Sequence, residues 1–355
     1  MDIVLSVCDN LVLDKFWAAT FPRHDILGAG NTTAPYFGAE PLPTDSVSQY
    51  FGIQTPPEAY LSSFARDDIV RQYFSLTLIT WIFGVLLYFF FATLSYVFIF
   101  DKATFKHPKY LQNQIRLEIA QTMISLPGMA LLTAPFFTAE VRGFGMLYEA
   151  VDTYPRWYLY FQFPLFLLFT DFGIYWIHRG LHHKLVYKNL HKPHHKWIMP
   201  TPYASHAFHA VDGWAQSIPY HVFPFVFPLH KFAYLALFTF INIWTIMIHD
   251  GEYVANSPLI NGAACHTMHH LYFNYNYGQF TTLWDRLGGS YRKPNMELFY
   301  KETKVSEGEW KRQVEEMEEI VREVENGDDR VYAGGEEKGV KVTGVEKRGG
   351  VKRRA

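Results

Sequence analysis

The chain has 355 residues, a formal net charge of −2 and aromatic side chains at 18% of positions. That charge balance offers nothing global for nucleic acid, and a length worth about two average soluble domains is filled instead by long apolar runs. Two cysteines far apart in sequence, Cys8 and Cys265, exclude a disulfide framework and a CxxC metal site.

Residues 1–70 read as an N-terminal region of mixed structure, because Pro41, Pro43, Pro56 and Pro57 break any long element. The start, with Asp2 and no basic segment, is not a standard cleaved signal peptide. Asn31-Thr-Thr33 is a glycosylation sequon, meaningful only on a lumenal segment. Residues 71–156 read as N-terminal transmembrane helices and connectors. The stretch 73–100 carries no charge over 28 residues, enough for a tilted span. A basic connector (Lys102, Lys106, Lys109, Arg116) precedes a second candidate, 119–139, which holds Pro127, Gly128 and Pro135 and is expected to be kinked or re-entrant. The third span, 157–177, opens on Trp157, Tyr158 and Tyr160 like an interfacial belt. Asp171 inside it either orients an imidazole or sits at the water boundary.

Residues 157–300 form the expected catalytic domain. Its apolar hairpin, 214–229 and 232–248 with His230-Lys231 at the tip, returns the chain to the face it left. The positive-inside rule puts that face in the cytosol, because Arg179, Lys184, Lys188, Lys192 and Lys196 crowd it. Three spans before it would leave the N-terminus lumenal; a re-entrant 119–139 would make it cytosolic. Residues 301–325 are expected to form an amphipathic helix, since Trp310, Val314, Met317, Val321 and Val324 recur at helical spacing. Residues 326–355 read as a disordered basic tail. The fold class is therefore an all-α integral membrane protein of about four to five transmembrane or re-entrant helices with a cytosolic, histidine-rich di-metal cap.

Fourteen of the sixteen histidines fall between 178 and 270, in three boxes: His178-Arg-Gly-Leu-His182-His183, His191-Lys-Pro-His194-His195 and His266-Thr-Met-His269-His270. Helical spacing lets His178 and His182 face one ion, and likewise His266 with His269 or His270. The boxes hold more imidazoles than one first-row metal can use, so two ions would each take about four. His249, at the end of the last apolar arm, is a further ligand candidate. His206 and His209 form a looser pair, as ligands or as donors to ligands; His221 and His230 lie too far along the hairpin. With no thiolate cluster and no Glu in a box to serve hydrolytic zinc, the ligand chemistry favours iron, zinc and manganese staying open. A histidine-rich transporter is disfavoured, because its ligands belong near the bilayer midplane.

The HxxxH, HxxHH and HxxHH boxes around an apolar hairpin resemble the membrane fatty-acid hydroxylase and sterol desaturase superfamily. The strings Thr201-Pro-Tyr-Ala-Ser-His-Ala-Phe-His209, Ile248-His-Asp-Gly251, His266 through Gly278 and Leu283-Trp-Asp-Arg-Leu287 are similar to those of fungal sterol C-5 desaturases. The resemblance implies an endoplasmic-reticulum enzyme of ergosterol synthesis. Such an enzyme introduces the 5,6 double bond into a Δ7-sterol such as episterol. It implies two iron ions, O2 as co-substrate, and electrons from NAD(P)H through cytochrome b5 and its reductase. The matched box positions are His178, His182, His191, His194, His195, His266, His269 and His270, with His183 a replacement for His182 where the first spacing is longer. Within the same chemistry, the alternatives are a sterol C-4 methyl oxidase, another lipid hydroxylase or a triterpenoid desaturase.

Overall fold

The computed structural model describes residues 1–23, 50–253, 257–325 and 328–333. His24, the Asn31 sequon and most of the basic tail lie outside the described residues. Residues 2–20, expected to be mixed, are helical throughout: α1 (Asp2–Cys8), a π-helical turn (Asp9–Leu13) and α2 (Asp14–Thr20) follow without a break. Tertiary pairing explains this. Asp9 and Asp14 both accept from the buried Arg71 guanidinium, and Trp17 donates to Ser75, so the segment is fixed onto the next helix rather than by its own propensity.

That helix, α3 (Ile69–Phe98), starts where the Asp68 carboxylate accepts from the Val70 and Arg71 amides, an N-cap that satisfies two orphan donors. Its outer face presents Phe74, Trp81, Ile82, Leu86 and Phe90, apolar surface that lipid would cover. α4 (Gln114–Val141) runs on through Pro127 and Pro135 as one 28-residue helix, so of the two expected forms the re-entrant one is not found. Pro135 removes a donor and frees the carbonyl four residues back. That carbonyl, on Leu131, accepts from the Tyr73 hydroxyl at 3.2 Å.

α5 (Tyr158–Leu181) follows, then α6 (Lys192–His195) after a π-helical turn, then the hairpin α7 (Ala210–Val226) and α8 (Lys231–Met247). α3 and α4 are long and apolar enough to cross a membrane. The expected count of four to five is not met on that measure. α7 and α8 have 17 residues each, a rise of about 26 Å against a hydrocarbon core of ~30 Å. α5 carries Asp171, His178 and Arg179. The helices pack at close quarters: a Cβ at Gly173 of α5 would stand 2.6 Å from Pro219 Cγ of α7, and one at Gly128 of α4 2.8 Å from the Ala210 Cβ. The core between them is built from Leu76, Ala134, Phe137, Phe166, Ile174 and Phe223. A two-residue parallel pairing, β1 (Leu147–Tyr148) with β2 (Leu229–His230), closes the end remote from the histidine boxes.

Beyond α8 lie α9 (Ala263–Tyr272), the short α10 (Leu283–Leu287) and α11 (Lys301–Lys304), and α12 (Glu307–Glu325). Met317 and Val321 of α12 are buried against Met268, Leu271 and Tyr272, so the expected apolar stripe covers the back of the third box. The tail, expected to be disordered from residue 326, is partly docked. Tyr332 bridges to Leu111, and the Ala333 amide donates to the Tyr110 carbonyl. A charged composition did not prevent this because Arg330 finds buried partners.

Candidate metal centre

α5 delivers the first box at its C-terminal end, the π-helical turn and α6 the second, and α9 the third. Nine histidines converge there in two groups: His178, His182, His191, His195 and His269, and His194, His249, His266 and His270. Within each group the nearest ring nitrogens lie within 4.8 Å of one another. His178 and His182 of the first box both go to the five-histidine group, whereas the ligands of the other two boxes are split. On α6, His194 leaves His191 and His195 for the second group. On α9, His266 and His270 share one direction while His269, one residue off that row, turns to the first group. Helical geometry permits either pairing of His266; the packing of α9 selects His270.

Four of the rings are aimed by a hydrogen bond at Nδ1. His178 donates to the Tyr277 carbonyl at 2.9 Å, His191 to the Asp212 carboxylate at 2.8 Å, His249 to the Thr245 carbonyl at 2.6 Å and His269 to the Tyr275 carbonyl at 2.7 Å. A carbonyl or carboxylate oxygen only accepts, so each Nδ1 carries the proton and each Nε2 presents a lone pair. The Nε2 atoms of His178 and His191 therefore face each other at 3.1 Å, and that of His249 lies 3.0 Å from His266 Nε2. Two lone pairs at such a distance, as at His178 and His191, repel unless a cation lies between them. His269 Nε2 and the Nδ1 atoms of His194, His195 and His270 are buried without a hydrogen-bond partner. Burial, reinforced by the neighbouring imidazoles, holds His194, His195, His266 and His270 well below the usual histidine range and His269 at about 3, so the rings are neutral donors. Neutral nitrogens with no acid or thiolate among them are a donor set for two first-row cations.

Asp171 is buried rather than at the water boundary, and it bonds no imidazole directly. Its carboxylate accepts from the Gln279, Phe280 and Thr281 amides and from the Thr281 hydroxyl, while Asp285 accepts from the Tyr277 and Gly278 amides at 2.8 Å. Together they fix the loop whose Tyr277 carbonyl aims His178. Asp212 was missed by sequence reasoning, although a signal existed: it is the lone Asp, Glu, Lys or Arg between Lys196 and Lys231.

His183 is a correction. It is exposed and outside both groups, its Nδ1 accepting from the Leu185 amide. α5 ends at Leu181, so His182 still follows the helical turn into the cluster while His183 swings to solvent. His209 caps α7, and His206 bonds Ser205 and Asn242; neither joins a group. His221 is packed between Phe136 and Phe137, and His230 donates to the Glu149 carbonyl, both away from the centre as expected.

A cavity runs from the centre into the bundle between α3, α4, α7 and α8. His178 of one group and His194, His249 and His266 of the other stand in its wall. Leu87, Leu126, Ala130 and Phe238 make most of its length apolar, and Asn242, Thr245 and Gln279 supply polar atoms.

Residues 163–290 match the fatty acid hydroxylase family model. Over 347 residues the chain is 62% identical to a Delta(7)-sterol 5(6)-desaturase of Aspergillus fumigatus, covering 95% of this chain and 99% of that protein. It is 57% identical to the Delta(7)-sterol 5(6)-desaturase of Leptosphaeria maculans (94% and 98%) and 48% identical to that of Candida albicans (94% and 99%). No solved structure matches it. With relatives this similar along nearly its whole length, and with the histidine boxes gathered at the head of one apolar cavity, the chain belongs to the Δ7-sterol 5(6)-desaturase family of fatty acid hydroxylase-type oxidoreductases.

Proposed function

We propose that the chain introduces the 5,6 double bond of a Δ7-sterol at two iron ions. One would be held by His178, His182, His191, His195 and His269, the other by His194, His249, His266 and His270. The observation that carries this reading is the single cavity onto which both histidine groups open. Bound iron would supply O2 reduction and removal of hydrogen from an unactivated C–H bond. In balance, the sterol gives up two hydrogen atoms (two protons and two electrons), a donor adds two electrons, two protons come from solvent, and O2 becomes two waters.

The protein's part is placement. Desaturation requires that only the hydrogens on C-5 and C-6 reach the metals, and holding the substrate oriented lowers the barrier. Three bonds separate the 3-hydroxyl from C-5, so the hydroxyl enters the metal end of the cavity. Thr245, one turn from His249, and Gln279, whose amide donates to the Thr245 hydroxyl at 3.1 Å, offer it partners there. The aliphatic side chain then fills the apolar length between Leu126, Ala130 and Phe238. Burying the hydroxyl elsewhere along that length would leave it unpaired, at a cost of about 1–3 kcal/mol.

The continuous α4 supports three crossings before the boxes and a lumenal N-terminus. The basic residues around the second box support a cytosolic centre in the endoplasmic-reticulum membrane. Lys184, Lys188 and Lys196 are exposed there and would steer an acidic electron carrier such as cytochrome b5.

Sterol profiling tests the reading. In a fungal strain lacking its C-5 desaturase, the wild-type chain is expected to restore the 5,7-diene and His269→Ala is not. Expressed wild-type protein that leaves Δ7-sterols unchanged would overturn the substrate assignment. A His269→Ala variant with full activity would overturn the ligand assignment.

A further inference from the structure

His195 differs from His178, His191 and His269 of its group in how it is held. Its ring stacks on Phe273, at 4.9 Å between centroids, and its Nδ1 has no hydrogen-bond partner to aim it. The grip is on its backbone instead. α6 ends at His195, whose carbonyl has no acceptor role left within the helix, and the Arg330 Nη2 donates to it at 2.9 Å.

Arg330 comes from the C-terminal segment, yet its side chain is only 2% exposed. Its guanidinium forks onto Glu325, Nη2 to Oε1 at 2.9 Å and Nη1 to Oε2 at 3.0 Å. Glu325, with a side chain 1% exposed, also accepts from the Tyr187 hydroxyl at 2.8 Å and pairs with Lys192 at 3.1 Å. The Tyr187 ring in turn lies 5.5 Å from that of His182 and 5.9 Å from that of His195. One buried carboxylate thus ties together the C-terminal segment, the π-turn before α6 and the flank of the five-histidine group. No corresponding strap reaches His194, His249, His266 or His270 among the described residues.

We propose that Arg330, braced by Glu325, is a positioning residue for His195, so that the C-terminal segment is part of the metal centre and secures the ion of the five-histidine group selectively. The inference rests on the two-ion reading above. Loss of a partner that orients a ligand costs typically 10–100-fold in metal affinity. A lysine at 330 would keep the charge but lose the planar fork.

The test is iron retention by the purified full-length protein in detergent, titrated with chelator, with thermal unfolding recorded alongside. Wild type, Arg330→Met, Arg330→Lys and His195→Ala are compared, and Arg330→Met is repeated with His194→Ala. Arg330→Met is expected to release one of two ions at roughly 10–100-fold lower chelator and keep the other at the wild-type level. Arg330→Lys should fall between. With His194→Ala, which weakens the other site, Arg330→Met should hold no iron tightly. Release of both ions together with a lowered unfolding temperature, or release unchanged from wild type, overturns the proposal. Should Arg330→Met not fold, Tyr187→Phe, which removes one bond to Glu325, must loosen the same ion by a smaller factor. A wild type that holds one ion overturns the two-ion reading alone; the strap then stands or falls on whether that ion loosens in Arg330→Lys.

Discussion

At the scale of single residues, the histidine boxes were legible because imidazoles at helical spacing are hard to explain otherwise, but their partners were not. Asp212 shows the difference. Nothing local links it to His191, and only the return of α7 beneath α6 brings its carboxylate to within 2.8 Å of the His191 Nδ1. Asp212→Asn keeps the shape but lets the side chain present either an oxygen or an amide to that nitrogen. Iron affinity is expected to fall about 10–100-fold, read by iron content after chelation and by diene yield. His183→Ala should retain wild-type diene yield while His182→Ala abolishes it, because only His182 points inward. His107 gives a pH dependence independent of the metals. It is 2% exposed beneath Trp310, and burial pulls its pKa from 6.5 to about 4. A depressed folded value means that the unfolded chain binds the proton more readily, so stability is lost as pH falls from about 6.5 toward 4. One such proton is worth about 3 kcal/mol over that window. Unfolding midpoints measured across it should decline less steeply in His107→Asn.

At the scale of elements, α4 stays one helix through both of its prolines, because neighbouring helices re-satisfy the backbone, as Tyr73 does for Leu131. Tyr73→Phe should therefore cost about 0.5–1.5 kcal/mol, seen as a lower unfolding midpoint in detergent with iron content unchanged. The α5–α7 contact is tighter. Gly173→Val places methyl groups where Pro219 already stands, and overpacking of this kind costs about 1–3 kcal/mol. Because α7 carries Asp212, the same variant should also lose iron more readily, whereas Tyr73→Phe should not.

At the scale of the whole molecule, the proposed encounter with an electron carrier depends on which lysines of the cap are exposed. Lys184, Lys188 and Lys196 project from the cap, while Lys192 is turned inward to Glu325 and Asp329. A carrier steered by the three exposed lysines should deliver electrons more slowly as salt rises, since screening sets in over about 10 Å at 0.1 M. Replacing all three by Glu should lower donor-driven turnover at low salt by about tenfold without changing iron content. Turnover with a small-molecule reductant, insensitive to the same changes, is the control.

The sequence by itself determined the class of chemistry and the general architecture. Uncharged runs can only be buried in lipid or protein, and histidines at helical spacing can share a face; nine histidines converge in two groups, while His183, His206 and His209 join neither. Tertiary structure alone decided which imidazole joins which group, that His183 faces water, that Asp171 and Asp285 hold a loop, and that Arg330 folds back onto His195. Each of those is a contact between segments far apart in the chain, set by how helices pack against one another. Local periodicity fixes which face a residue shares but carries no information about what that face meets.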